Sequence, residues 1–419
     1  MSTDAAATGP RRTDRPLDEA GVVTAVRRAA ERGNPVRPTG AGGRLAGPLV
    51  RTEDVLIDAS ALTGVIQVSE PGPDTDGTVR VRAGETLVDL CTFLAGAGRA
   101  LATVPDAPRA TVAGAVQLGM YGGAPAEGSL SAQVVSARLV DGHGTVRDVT
   151  GAELDAVRCG LGALGVLTAL ELRTVPLRRL RVHETTTRTE EILADGGLSG
   201  HLWTECDVSV RTGQAVLRWA TLADDPAGPV DAGDAGSGPA AESWGRAVSR
   251  VASTWWASSR RAWPPPPRWA PGTVGAPHEV LPDPQPWDPD LAEWALPRAA
   301  LATALAELGS AVASRGHDLR PVRVRLGAAE TGLLHPASGR ETAYLRVRTR
   351  GAAGEPVRRL AAAVLEDAGG RPCWTTRHEW GPDELAAAYP GWETFRTLRD
   401  RFDPERRFTA PSLAAHLGP

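Results

Sequence analysis

Three glycine-rich runs and one pair of arginines are the residues whose types and spacing could do chemistry. Residues 160–165 read GLGALG, a literal G-x-G-x-x-G. In a dinucleotide-binding unit that motif follows a strand and opens a helix, so that the helix N-terminus meets a pyrophosphate. Here the order is reversed. Residues 151–159 read as a short helix, and residues 166–176 (VLTALELRTVP) alternate apolar and polar side chains as a strand does. The spacing predicts a helix–glycine turn–strand unit rather than a Rossmann nicotinamide site. Two other runs offer close backbone approach. Residues 36–49 (VRPTGAGGRLAGPL) place Gly40, Gly42 and Gly43 where successive N–H groups can converge on an anion. Residues 111–131 (TVAGAVQLGMYGGAPAEGSLS) are again punctuated by glycine and almost uncharged. Each loop, taken alone, is equally an ordinary turn. In the C-terminal half Arg323 and Arg325 stand two apart in PVRVRLG, so a strand there puts both on one face. The pair could bind a carboxylate or phosphate, or place a cation beside a cofactor. For Arg323 an exposed strand charge is the plain alternative.

The elements that must position these residues are legible in outline. A helix over residues 19–32 presents Val22, Val23, Val26, Ala29 and Ala30 and leads into the first glycine run. Residues 131–149 read as two strands joined by an Asp-Gly-His-Gly turn. Helices over 299–315 and 356–368 flank strands over 322–326 and 342–348. Residues 224–241 are rich in Pro, Gly and Asp and poor in bulky apolar side chains, which predicts a flexible insert. Residues 242–262 have a helical pattern, and the consecutive prolines that follow require extended chain. Trp255, Trp256, Trp263, Trp269 and Trp287 crowd this region, either as a satellite cluster or as an aromatic lid over a substrate channel.

Composition narrows the function classes. A chain of 419 residues suits two domains. A net charge of −4 gives no electrostatic case for nucleic acid or an anionic membrane. Cys91, Cys159, Cys206 and Cys373 are widely spaced, which indicates neither a zinc site nor a disulfide framework. No apolar run reaches membrane-spanning length and the first residues lack a signal-peptide core, so cytoplasmic residence is expected. All 46 basic Lys+Arg residues are arginine. Schiff-base chemistry through lysine and a Walker lysine are therefore excluded.

Taken in order, PTGAGG, IDASAL, VRAGETLVDLCTFL, TVAGA, LSAQVVSARLVDGHG and GLGALGVLTALEL resemble the FAD-binding domain of the vanillyl-alcohol-oxidase superfamily, nearest its sugar-lactone and alditol oxidase branch. In the second half EWALPR, PVRVRLGAAETGLLHPASGRETAYLRV, GGRPCW and YPGWETFRTLRDRFDPERRF follow that branch's order. The resemblance implies an α+β fold with two domains: a PCMH-type FAD-binding domain of helix-flanked mixed sheets and an α+β substrate, or cap, domain. It implies a flexible tail over 1–15, the FAD domain over 16–177, the cap over 178–390 and a segment over 391–419 that returns to the FAD domain. FAD would be held by Pro38, Thr39, Gly40, Ala41, Gly42, Gly43 and Arg44, by Thr111, Gly114, Gly119 and Gly122, and by Gly162, Gly165 and Val166.

The residue-by-residue match departs from the family at the chemistry. Gly43 occupies the place of the histidine that tethers flavin in covalent members, which implies non-covalent FAD. Met120-Tyr121-Gly122 replaces a Thr-His-Gly run, and Gln117 replaces a small hydroxyl residue. Arg323 stands for the glutamate of a Glu-x-Arg pair whose arginine survives as Arg325. Thr376 stands for a lysine near the flavin, Ala410 for the asparagine of an Asn-Pro pair, and His378 is retained. The candidate catalytic set is therefore Arg325, Arg323, Tyr121, His378 and Gln117. Arg325 is expected to anchor the substrate or the reduced flavin. Cys373 reads as a small buried hydrophobe or a thiol nucleophile. The implied function is a flavin-dependent oxidation of a small molecule, by hydride transfer from a C–H bond to flavin N5, with O2 a candidate acceptor. The altered set and GC-rich composition suit a tailoring enzyme of bacterial secondary metabolism. The alternative is a redox-silent or non-redox descendant, a binding protein or a cyclase. The oligomeric state is left open.

Overall fold

The computed structural model describes residues 12–41, 55–72, 76–194, 197–223, 268–283, 290–317, 319–349 and 351–418. Gly42, Gly43 and Arg44, the insert over 224–241, the helix expected over 242–262 and Trp255, Trp256, Trp263 and Trp287 lie outside the described residues.

The chain begins with a small parallel sheet. Strand β1 (Arg12–Asp14) is followed by helix α1 (Glu19–Glu31), β2 (Val36–Thr39) and β3 (Val55–Asp58), in the order β1-β3-β2. Asp18 caps α1 by accepting from the Gly21 N–H at 2.7 Å. Its buried stripe of Val22, Ala25, Val26 and Ala29 packs with Val36 and Ile57. Of the tail expected over 1–15, residues 12–14 form strand β1, and residues 1–11 lie outside the described residues. The strand has no apolar alternation to reveal it, because its order comes from parallel pairing of Arg12, Thr13 and Asp14 with β3.

Next come β4 (Val65–Ser69), β5 (Gly77–Arg82), α2 (Leu87–Gly96), β6 (Arg99–Ala100), α3 (Val112–Gln117), β7 (Val134–Val140), β8 (Val146–Val149), α4 (Leu154–Val157) and β9 (Val166–Pro176). They form an antiparallel sheet in the order β4-β5-β9-β7-β8, with β6 paired to β9. The helix–turn–strand order around GLGALG is the one its flanks predict: α4, the glycine turn, then β9.

The second half is built on one sheet with the strand order β13-β10-β12-β11-β15-β16-β14-β17. Its elements are β10 (Leu180–Arg188), α5 (Thr189–Ala194), β11 (Trp203–Val208), β12 (Gln214–Leu222), β13 (Val274–Gly275), α6 (Pro277–Val280), β14 (Leu291–Pro297), α7 (Leu301–Ser314), β15 (Val322–Gly327), β16 (Thr342–Arg348), α8 (Gly351–Asp367) and β17 (Arg371–Pro372). Alternation divides its two faces. On one, Cys206, Trp294, Val322, Val324, Leu326 and Leu345 bury against Leu301, Leu305 and Leu308 of α7 and Ala361 and Leu365 of α8. The other face is charged.

Helices α9 (Pro382–Ala388), α10 (Trp392–Phe402) and α11 (Pro411–Leu417) close the chain. Leu385, Tyr389, Trp392, Phe395, Phe402, Leu413 and Leu417 share a core with Leu87, Val116 and Leu167 of the first half. Two backbone bonds fix that docking: the Val36 N–H donates to Arg407 O at 2.7 Å, and the Gly142 N–H to Phe402 O at 2.9 Å. His378 and Glu379 lie in irregular chain before α9.

Candidate active site

The glycine runs, far apart in sequence, meet in space. Gly40 follows β2 so close to α3 that a Cβ there would stand 2.2 Å from Thr111 Oγ1. Thr111 caps α3 by accepting from the Gly114 N–H at 3.1 Å. The GLGALG turn is tied to both. The Leu161 carbonyl accepts from Arg37 Nη1 at 2.6 Å, and the Gly162 N–H donates to Gln117 Oε1 at 2.7 Å. Gln117 Nε2 in turn donates to the Val157 carbonyl at 2.9 Å. The turn holds Cys159 and Leu161 at φ of 63° and 59°, a left-handed conformation rare for residues with a Cβ and sustained here by that bracing.

A Cβ at Gly122 would stand 2.7 Å from Thr103 Oγ1, and one at Gly119 2.7 Å from the His335 ring. The backbone thus forms a cradle that side chains would fill, with Pro38 lying beside Gly162. Thr39 pairs with Asp58 at the end of β2 and Ala41 is exposed. Gly165 and Val166 sit deeper. Gly165 lets the chain pass the Val140 carbonyl, where a Cβ would be 2.4 Å away, and the Val166 side chain belongs to the core.

The charged face of the large sheet lies against this cradle. Register aligns Asp207, Arg323, Arg346 and Glu293 across four strands, and Glu184, Arg218 and Glu205 across three. Arg323 and Arg325 share the face, as period-two alternation requires. Arg323 does not point to solvent: Nε donates to Asp207 at 3.0 Å and Nη1 to Asp283 at 2.7 Å. Arg325 is 2% exposed, and its Nε donates to Glu205 at 2.9 Å while Nη2 pairs with Asp106 at 2.7 Å. Asp106 comes from the loop before α3, so this arginine ties the sheet to the FAD-domain side.

Glu205 is the hub. Besides Arg325 it meets Arg218 at 3.2 Å, Arg323 at 3.5 Å and Arg268 at 3.6 Å. Burial alone would raise its pKa; the surrounding guanidinium groups, Arg323 and Arg325 foremost, hold it well below the carboxylate range. Burial also opposes ionisation of Asp283, and Arg323 and Arg268 lower its pKa in the same way.

Tyr121 enters this face from the second glycine run. Its ring stacks on Tyr344 with centroids 3.6 Å apart and 12° between planes. Its hydroxyl donates to Glu293 Oε1 at 2.5 Å, and Arg346 Nε donates to the same oxygen at 2.9 Å. Burial, then the charge of Glu293, pushes the Tyr121 pKa well above its ordinary value, so the phenol stays protonated. Thr376 braces the group from behind: the Glu293 N–H donates to Thr376 Oγ1 at 3.2 Å.

Tyr121, Arg323 and Arg325 are therefore brought together; Gln117 and His378 are not. Gln117 spends both ends of its amide on the glycine turn. His378 packs beside His416, with centroids 4.5 Å apart, and edge-on to Trp374. Cys373 is buried with Ala295, Ala337 and Tyr344, and burial raises its pKa, the behaviour of a small hydrophobe. Trp269 joins Trp203, Leu180 and Val280 in a satellite core, with Arg268 4.5 Å from its ring centroid.

The sequence reading missed Glu205, Asp106, Asp207, Asp283, Glu293 and Arg346. Alternation within TECDV, AEWAL and AYLRVR carried a signal for four of them, because charged residues fill inward positions of otherwise apolar strands. Asp106 and Asp283 are loop residues with no such pattern.

Comparison with known proteins agrees with this architecture. Residues 10–150 match the family model described as FAD binding domain, and residues 247–416 the one described as D-arabinono-1,4-lactone oxidase. The chain is 30% identical over 419 residues to L-gulono-1,4-lactone dehydrogenase of Mycobacterium tuberculosis, covering 97% of this chain and 95% of that one. It is 28% identical over 386 residues to alditol oxidase of a Streptomyces species, covering 82% and 86%. Among solved structures, cholesterol oxidase of B. sterolicum superposes with a TM-score of 0.74 at 19% identity, covering 97% and 94%. For 6-hydroxy-D-nicotine oxidase of Arthrobacter nicotinovorans the TM-score is 0.64 at 18% identity, covering 95% and 91%. With a glycine cradle, a PCMH-type fold and these relatives in agreement, the chain belongs to the FAD-binding sugar-lactone and alditol oxidase family of the vanillyl-alcohol-oxidase superfamily and is an FAD-dependent oxidoreductase.

Proposed function

We propose that this protein oxidises a carbinol carbon of a neutral, hydroxylated small molecule, and that its site is rebuilt relative to its lactone and alditol relatives. Bound FAD, held without a covalent tether, supplies the hydride acceptor at N5. The observation that carries the reading is the sheet face opposite the glycine cradle. Arg218, Arg268, Arg323, Arg325 and Arg346 are each paired with carboxylates of the same chain. A substrate carboxylate or phosphate would have to displace those partners, and a neutral hydroxylated molecule would not. The pairing supports structural charge compensation over anion binding for the arginine pair. Arg325, bonded to carboxylates from both sides, fixes the geometry of the face.

At the positions of the family's glutamate and lysine this chain has Arg323, bound to Asp207 and Asp283, and Thr376, bound to the backbone of Glu293. Transition-state contacts of that type are worth about 3 kcal/mol each, so simple alditols and aldonolactones should react on the order of ten-thousand-fold more slowly than a matched substrate. We infer a tailoring step in bacterial secondary metabolism from the absence of lysine and the single asparagine, Asn34, which suit GC-rich coding. The four buried free thiols suit the cytoplasm. Among the described residues no helix is long and apolar enough to cross a membrane.

The test is hydrogen peroxide production, with O2 as acceptor, across neutral polyols, glycosides and aldonolactones, with aldonates and sugar phosphates as the anionic arm. Turnover confined to neutral compounds supports the proposal. Preference for an anionic compound contradicts it, and rapid oxidation of plain alditols restores the relatives' ordinary chemistry. A protein that binds FAD but reduces it with no compound favours the redox-silent descendant.

A further inference from the structure

We propose that Tyr121 and Glu293 form a proton relay that takes the hydroxyl proton of the substrate as its hydride leaves. The inference rests on the oxidation proposed above and adds the route of the proton. Three observations carry it. Tyr121 spends its single proton on Glu293 at 2.5 Å, which leaves its oxygen lone pairs to accept from a substrate hydroxyl. Glu293 is 2% exposed and is fixed on both sides, its carboxylate by Arg346 and its backbone N–H by Thr376. Tyr121 is supplied by the glycine-run side and Glu293 by the charged sheet, so the contact bridges the two surfaces between which a hydroxylated molecule would react.

With FAD, held by the glycine cradle, as the two-electron acceptor, the carbinol carbon would lose its hydrogen as hydride. The O–H bond breaks as the C–O double bond forms, and that proton passes to Tyr121 Oη. Tyr121 passes its own proton to Glu293 Oε1. The acceptor would take up the hydride's two electrons, and one proton would rest on Glu293 with Tyr121 restored. The raised pKa of the buried phenol suits a conduit and not a standing base. Arg346 stays within hydrogen-bond reach throughout and keeps the carboxylate aimed at the phenol.

The full-length, FAD-loaded protein tests this with L-gulono-1,4-lactone and xylitol as probes and two readouts. The first needs no turnover. The proton between Tyr121 and Glu293 should give a downfield proton resonance that is missing from Tyr121→Phe and Glu293→Gln and shifts when either probe is added at high concentration. The second is the rate of anaerobic flavin bleaching by the probes, which remains measurable for slow substrates. Tyr121→Phe keeps the ring stack on Tyr344 and should slow bleaching by about 100-fold or more. It should also abolish the solvent isotope effect and flatten the pH profile, changes that loss of a merely structural bond would not cause. A resonance that neither probe moves, or a Tyr121→Phe protein that bleaches at the parental rate with its isotope effect intact, overturns the relay. Absence of bleaching in the parent with every compound tried defeats the oxidation itself, which is a different failure.

Discussion

At the residue scale the molecule rests on compensation between charges that are costly to bury singly. Glu205 is fully buried among four arginines, and Arg325 is nearly so between Glu205 and Asp106. Removing one member of such a network leaves the others under-compensated, at a cost of up to about 3–5 kcal/mol. Arg325→Ala is therefore expected to lower the denaturation midpoint as well as turnover, and Glu205→Ala to do the same. Chemical denaturation checks this. If Arg325→Ala unfolds at the parental midpoint while losing activity, the arginine is a substrate anchor after all. Arg323→Ala, which removes one cation from Asp207 and Asp283, should also destabilise. Alternation had already put both arginines on one face, and that much was legible. Their loop partners were not, because Asp106 lies 219 positions before Arg325 in sequence and no local pattern links them.

At the scale of elements, glycines whose missing Cβ makes room differ from those that merely lower helix propensity. Gly40→Ala would drive a methyl group against Thr111, forcing the end of β2 away from α3. Its expected effect is weaker FAD retention, read as faster recovery of flavin fluorescence on dilution. At Gly96, the last residue of α2, an added Cβ would meet nothing within 4 Å, and φ is not left-handed. Gly96→Ala should leave FAD binding unchanged and raise stability by up to about 1 kcal/mol. Equal FAD retention in the two variants would mean that the approach of β2 to α3 does not shape the cofactor site. Elements with a strong period, such as α1, β9, β15 and β16, were legible to within a few residues. The irregular chain around His378 was not, since its course is set by docking of the C-terminal helices.

At the scale of the whole molecule, the C-terminal segment binds the two halves of the chain together, and its docking carries a titratable pair. Burial, and secondarily the neighbouring His416, depresses the His378 pKa from 6.5 to about 3. The sign follows from linkage. Over that interval the unfolded chain binds a proton that the folded chain refuses, so the stability held above pH 6.5 is lost progressively as pH falls towards 3. The buried carboxylates act in the same direction but lower: Glu205, held well below its ordinary 4.5, favours the folded state above that value and loses the contribution as pH falls. Acid destabilisation should therefore begin near pH 6.5, well above the carboxylate range, and steepen below about 4.5. His201, His278 and His335, whose pKa values burial also lowers, add to this phase, and His378→Phe removes its own share while keeping an aromatic ring against Trp374. Melting temperature recorded from pH 8 to 4 should fall for the parent between 6.5 and 5 and fall less there for the variant. A parent whose stability is flat down to pH 5, or a variant with the same early loss, would show that His378 is not the group that titrates, and would return it to consideration at the flavin.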